Sequence, residues 1–313
     1  MTAHLEALRR IAAYAVITDE QQRVLLVRGS SLSATPGVWS LPGGAVAHGE
    51  HPNETVVRET AAESGLSVAV TGLKDVLADV RALPRRGVTL HTDRVIYSAC
   101  VRGGSLRDRS GQPTDIVRWV GLAQASTLSL RPFTATALGL PAGVEEVPDE
   151  VPDFPSFHAE PGPDGLHRAQ RFAAYAVATD PRRRVLLTRV APNYPGAGRW
   201  HLPGGGTDYG EQPGAALIRE LVEETGQRGR LVALLGVASH RDPASLGPEG
   251  YPIDWHGVRA FYRVQVDRAT TPRVNDRGGS TSEARWVPVD EVSSLRSDEV
   301  TEVTAEAMLA AFP

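Results

Sequence analysis

RELVEETG, residues 219–226, puts glutamates at 220, 223 and 224 directly ahead of a glycine. At 3.6 residues per turn, positions i, i+3 and i+4 share one face, so the stretch reads as a helix with a carboxylate-lined side. Ile218, Leu221, Val222 and Thr225 fall opposite and form a face that can be buried. Pro213 in the first turn and Gly226 just past the end are sound helix punctuation. Like charges at this spacing weaken a helix by a few tenths of a kcal/mol per pair, so the segment calls for a compensating partner. A hard divalent cation such as Mg²⁺ or Mn²⁺ takes oxygen ligands and leaves room for water and substrate phosphate. A solvated acidic face is the plain alternative. Gly204–Gly206 just upstream, where backbone can approach a ligand closely, favours the cation.

The same frame occurs earlier. RETAAESG, residues 58–65, has Ala62 where the later copy has Glu223. Working outward, RIAAYAVITDEQQRVLLVR from Arg10 matches RFAAYAVATDPRRRVLLTR from Arg171, and WSLPGG from Trp39 matches WHLPGG from Trp200, all 161 residues apart. Further on the offset drifts, as loop insertions require. His91 then faces His256, and Arg118-Trp119-Val120 faces Arg285-Trp286-Val287. A repeat of roughly 140–150 residues has the size of an ordinary domain. The expected organisation is a domain over 1–140, a linker over 141–167 and a second domain over 168–313. The linker is rich in proline and acids and has no helical or strand period. Phe154 and Phe157 within it are expected to pack on a domain.

Within each copy, two apolar runs joined by a turn predict strands, and a helix is predicted from Pro52 to Gly65 and from Pro213 to Gly226. The runs VIYSACV, AFYRVQV and RWV predict further strands, and TAEAMLAAF a C-terminal helix. The connection over 240–257 in the second copy reads as a long loop, a frequent carrier of function. Its counterpart over 79–92 is basic, with Arg81, Arg85 and Arg86.

Gly205, five residues, Glu211, seven residues, then residues 219–226 follow the pattern G-x5-E-x7-R-E-U-x-E-E-x-G-U, where U is apolar, with Gln227 alone departing from it. The chain therefore resembles the Nudix hydrolases, and its first copy matches at Gly44, Glu50, Arg58, Glu59, Glu63, Gly65 and Leu66. The resemblance implies an α/β chain of two α/β/α sandwich domains with mixed β-sheets. It implies metal-dependent hydrolysis of a nucleoside diphosphate linked to another group: an NDP-sugar, an ADP-ribose-like compound or a nucleoside triphosphate. The metal ligands implied are Gly205, Glu220, Glu223 and Glu224, with Glu211 and Arg219 structural. Glu220 and Glu224 are also candidate catalytic groups. Glu283, three residues before Trp286, is a candidate general base on a later loop, where the first copy has Ile116 beside Asp115.

Ala62 removes one carboxylate from the first copy, so Gly44, Glu59 and Glu63 are expected to form a degenerate site. That copy is expected to serve as a packing partner, with a nucleotide-binding regulatory site or a weak enzyme using Glu59 and Glu63 as the other readings; packing makes the chain a monomer with an internal pseudo-dimer, or a homodimer. Arg189, Trp255 and His256, with Tyr251, are candidate contacts to the substrate's base or phosphate. The remaining histidines His48, His51 and His201 have no metal-ligand spacing and are expected in solvated loops.

Composition narrows the partners. The chain has 313 residues and a net charge of −4, which speaks against a general nucleic-acid or acidic-membrane binder. It has no apolar run near the ~20 residues of a membrane helix. The start MTAHLEALRR lacks a secretory signal, so a cytoplasmic location is expected. Arginine supplies nearly all positive charge, with Lys74 the one lysine. Arginine suits phosphate recognition, though genomic composition produces the same bias. The single cysteine, Cys100, lies in an apolar run and is expected to be a buried, inert thiol. The alternative to an enzyme is a non-catalytic nucleotide-sensing or regulatory protein built on the same domains. Such a protein would more readily carry a DNA-binding helix-turn-helix, and the sequence suggests none.

Overall fold

The computed structural model describes residues 5–109, 111–143, 157–162, 164–246, 252–275, 279–292 and 299–311. The first repeat runs β1 (Glu6–Ile17), β2 (Val24–Gly29), β3 (Trp39–Ser40), β4 (Gly43–Ala45), α1 (Pro52–Ser64), β5 (Leu66–Leu83), β6 (Val88–Gly104), β7 (Thr114–Val120), α2 (Leu122–Ala125) and α3 (Pro132–Ala137). Its main sheet has the order β4-β1-β6-β5, and a smaller sheet the order β3-β2-β7. β1 runs parallel to β6 from Glu6↔Val88 to Ile17↔Ala99, while β4 and β5 pair antiparallel with their neighbours. The sheet is therefore mixed, as expected. Residues 11–15 of β1 are buried without interruption, the signature of a strand covered on both faces. On one side Tyr14, Leu26 and Ile96 pack with Ala125, Phe133 and Ala137 of α2 and α3.

Part of the segment expected as linker forms a strand. β8 (Phe157–Pro161) pairs with β9 (His167–Thr179), so the end of the expected linker is a strand. Residues 144–156, including Phe154, lie outside the described residues. Then come β10 (Arg184–Val190), β11 (Trp200–His201), β12 (Gly204–Gly206), α4 (Pro213–Thr225), β13 (Arg230–Leu246), β14 (Pro252–Gln265), β15 (Thr281–Pro288), α5 (Val289–Val292) and α6 (Glu302–Ala311). The order β11-β10-β9-β14-β13 forms the spine of its sheet, with β12 and β15 pairing β9 and β10. Tyr175, Leu187, Leu202 and Phe261 build its core with Val303 and Ala307 of α6.

Two sequence expectations change here. Residues 240–246 and 252–257 form the outer part of a hairpin of β13 and β14, so these are strand where a loop was expected. Contacts divide the chain into Met1–Gln170 with Ser239–His256, and Arg171–Ala238 with Gly257–Pro313, so this hairpin end belongs to the first unit. Its chemistry explains the assignment. His256 Nδ1 accepts from the Gly49 backbone N–H at 3.1 Å, and Ser239 Oγ lies 2.8 Å from His256 Nε2. Asp254, buried, takes a two-pronged bond from Arg241 at 2.9 and 2.6 Å and stands 3.1 Å from His48 Nε2. A buried carboxylate needs such partners, and here the first repeat supplies one of them. Among the described residues no helix is long and apolar enough to cross a membrane. Cys100 is half-buried in β6.

Candidate functional site

α1 and α4 both span 13 residues, both open on proline, and both end on a glycine in the left-handed region, Gly65 at φ 78° and Gly226 at φ 68°. The preceding glycine loops are held against the first strand of each repeat, with Gly204↔Tyr175 and Gly205↔Ala174 in register. Gly204 sits at φ 142° and Gly43 at φ 140°, and a Cβ at either would collide with the carbonyl of Ala174 or Ala13. Only glycine fits these two places.

Arg219 organises the second site. Its Nε and Nη2 donate to Glu211 at 3.0 and 2.9 Å, and Nη2 reaches the Gly206 carbonyl at 3.4 Å. Nη1 donates to Glu220 Oε1 at 3.0 Å and to Glu223 Oε2 at 3.2 Å. A guanidinium thus relieves the repulsion of these two carboxylates, while both lie within reach of one cationic point. Glu220 also crowds the loop, since a Cβ at Gly205 would fall 2.6 Å from its Oε1. Burial pushes the Glu220 pKa up, opposed by the charge of Arg219.

Glu224 departs from expectation. It does not share an exposed acidic face with Glu220 and Glu223 but lies with Leu217, Leu221 and Thr225 on the buried side, at 3% exposure. The cause is helical geometry, since 217, 221 and 224 recur at i, i+4 and i+7. Its oxygens accept from the Gly204 N–H at 2.8 Å and from Thr281 Oγ1 at 2.5 Å, which offsets the cost of burying a carboxylate. Thr281 was missed in the sequence. Its counterpart Thr114 donates to Glu63 Oε1 at 2.8 Å, so threonine at one repeat position in both copies was the available signal.

The first copy keeps the frame and loses one donor. Arg58 grips Glu50 at 2.7 and 2.8 Å, and Glu50 is held down to a pKa of about 2, chiefly by Arg58. Glu59 lies under Gly44, where a Cβ would meet its Cδ at 2.9 Å. Glu63 accepts from the Gly43 N–H at 3.0 Å, and burial pushes its pKa up to about 7. Ala62 offers no oxygen donor beyond its backbone.

The other candidates fall elsewhere. Glu283 is in β15 rather than on a loop, opposite Arg189 in register, with Arg189 Nη1 3.6 Å from Glu283 Oε2 and both half exposed. Arg189 also donates to the Gly198 carbonyl at 3.0 Å. In the first copy Asp115 makes the matching pair with Arg28, at 3.1 and 2.8 Å. Trp255 and His256 belong to the first unit, and His256 is fully buried with its ring nitrogens engaged. Tyr251 lies outside the described residues. His201 is not a solvated loop residue, since it bonds Thr301 and burial pushes its pKa down to about 3.

The donor set fits a hard divalent cation in kind. Glu220 and Glu223 present carboxylate oxygens, the Gly205 carbonyl is a third hard oxygen, and the bare Gly205 leaves the helix carboxylate close to the loop backbone. Among the described residues no three His, Cys, Asp or Glu side chains stand together in ligating geometry.

The sequence model of the NUDIX domain matches residues 8–138 and 169–308. The chain is 39% identical over 82 residues to human (Homo sapiens) diphosphoinositol polyphosphate phosphohydrolase 3-alpha, covering 26% of this chain and 47% of that protein. It is 46% identical over 69 residues to RNA pyrophosphohydrolase of Agrobacterium fabrum, covering 22% and 38%. The match therefore spans less than half the length of these relatives. Among solved structures, a MutT NUDIX hydrolase from Burkholderia pseudomallei is 28% identical, with a TM-score of 0.35, over 45% of this chain and 97% of that one.

Proposed function

Because the chain belongs to the NUDIX domain family over both of its halves, we propose that it hydrolyses phosphoanhydride bonds in small nucleotide-like substrates with a divalent cation, mainly in its second copy. The observation that carries this reading is the convergence of Glu220 and Glu223 on one guanidinium nitrogen beside the bare Gly205 loop. Glu220, Glu223 and the Gly205 carbonyl would hold Mg²⁺ or Mn²⁺. The cation, when bound, neutralises charge on the phosphate oxygens and polarises them. Arg219 and Glu211 fix the angle between loop and helix. Glu224 ties the Gly204 amide and Thr281 to the helix, so the loop cannot drift from the carboxylates. Glu220 is the candidate to orient or deprotonate the attacking water, with Glu283 as second candidate at the edge made by β10 and β15.

The substrate class follows the names of the relatives only in part. An assay panel should hold NDP-sugars, ADP-ribose, nucleoside triphosphates, a diphosphoinositol polyphosphate and 5′-triphosphorylated RNA, each with Mg²⁺ or Mn²⁺. Turnover of at least one is expected, falling about 10- to 100-fold in Glu224→Gln, as loss of an indirect support of a metal site does. Glu63→Gln is expected to leave it within about twofold. Equal losses in the two variants would overturn the division of labour. Binding without turnover across the panel would favour a nucleotide sensor instead.

A further inference from the structure

Arg171 opens the second repeat two residues before Ala173, the register partner of Gly206. Side chains two apart on a strand share a face, so Arg171 reaches over the last glycine of the loop. A Cβ at Gly206 would lie 2.6 Å from both Nε and Nη2 of Arg171. The Nε–H is shielded from solvent and has no acceptor among the described residues. The charge of Arg171 is felt at Glu220, where it opposes the effect of burial.

The first repeat shows what this arginine does when it is occupied. Its counterpart Arg10 donates from Nε to Thr92 Oγ1 at 3.4 Å. Two of the differences between the copies bear on this residue. Where the second loop reads Gly204–Gly206, the first reads Gly43–Ala45, so a methyl stands in the place that Arg171 overlies. Where the first strand pair has Thr92, the second has Gly257, which carries no side-chain acceptor. One change opens room over the loop and the other releases the guanidinium toward it. A buried N–H without an acceptor is costly unless a ligand supplies one.

We propose that Arg171 binds the substrate, its Nε–H and an Nη–H donating to non-bridging oxygens of one phosphate laid along the Gly204–Gly206 loop. The planar fork matches phosphate geometry, which a lysine would not. The assignment rests on the hydrolase reading of the second copy. It also separates the copies by a second criterion: Ala62 marks the loss of a cation donor, and Ala45 with Thr92 marks the loss of a phosphate donor.

The test uses imidodiphosphate, a non-hydrolysable pyrophosphate analogue, titrated calorimetrically into the full chain in MgCl₂. Arg171→Gln is expected to weaken binding by about 10- to 100-fold, as loss of a charge-assisted bond pair does. Gly206→Ala should weaken it similarly by displacing an unaltered arginine, and Arg171→Lys should fall between. Arg10→Gln should leave affinity unchanged. Thermal unfolding of each variant separates lost binding from lost folding, and Gly206→Ala answers the question if Arg171→Gln fails to fold. Binding that neither Arg171→Gln nor Gly206→Ala weakens would overturn this assignment alone. Failure of the unaltered chain to bind the probe would sink the hydrolase reading, and this assignment with it.

Discussion

Arg58 and Arg219 hold the same post in the two repeats, each clamping the glutamate eight residues upstream and touching the glutamate next in sequence. They differ in the fourth partner. Arg219 also holds Glu223 at 3.2 Å, and Arg58 faces Ala62, which has no carboxylate to give. The clamp, the glycine φ values and the buried glutamate bonded to a glycine amide and a threonine are shared. The lesson is that the frame and the cargo of this motif are separable. The frame that fixes the loop-helix junction stands in both copies, and the second carboxylate on the clamp arginine in one.

The comparison breaks most sharply at the loop glycines. Gly205→Ala would drive a methyl into the Glu220 carboxylate, and turnover should fall about 100-fold or more, as small misplacements near reacting groups do. Gly44→Ala meets Glu59 in the same way and should leave turnover unchanged, with a lowered unfolding temperature as its only effect. Equal activity losses would mean that both loops bind substrate. A smaller effect belongs to the hairpin end that joins the first unit. Asp254→Asn strips the charge from its bonds to Arg241 and His48, and about 1–3 kcal/mol of stability should be lost in chemical denaturation.

A pH experiment sharpens the same point. Burial pushes the His256 pKa down to about 4, with the charges of His48 and Arg241 acting in the same direction and Asp254 opposing them. An unfolded histidine titrates near ~6.5, so the unfolded chain takes up a proton that the folded chain refuses between about pH 6.5 and 4. Stability should therefore be intact above that window and fall as pH drops through it, by roughly tenfold in the folding equilibrium per unit. His256→Gln should flatten this slope, and an unchanged slope would show that the ring is not held neutral by the fold. The smallest effect is expected from Ala62→Glu, which gives Arg58 the second carboxylate that Arg219 has. Magnesium binding to the first copy should rise by about tenfold or less by calorimetry, because Ala45 and the Thr92-bound Arg10 still differ.

Much of this was legible in the sequence for a physical reason. Repeats, helix stops such as Gly65 and Gly226, and the spacing of Glu220 and Glu223 are consequences of local geometry, and local geometry is written in neighbouring residues. The ends of α1 and α4, the clamp glutamates Glu50 and Glu211 and the absent carboxylate at Ala62 could all be read there. The inward turn of Glu224, the bond from Thr281, the strand around Glu283 and the hairpin that carries His256 to Gly49 could not. Each depends on groups 20 to 207 positions away finding partners, and burial decides such pairings only once the sheets have formed. Sequence determined which helix could gather charge. The tertiary structure decided which carboxylates face outward, because a buried polar atom must be satisfied and the fold alone sets who stands near it.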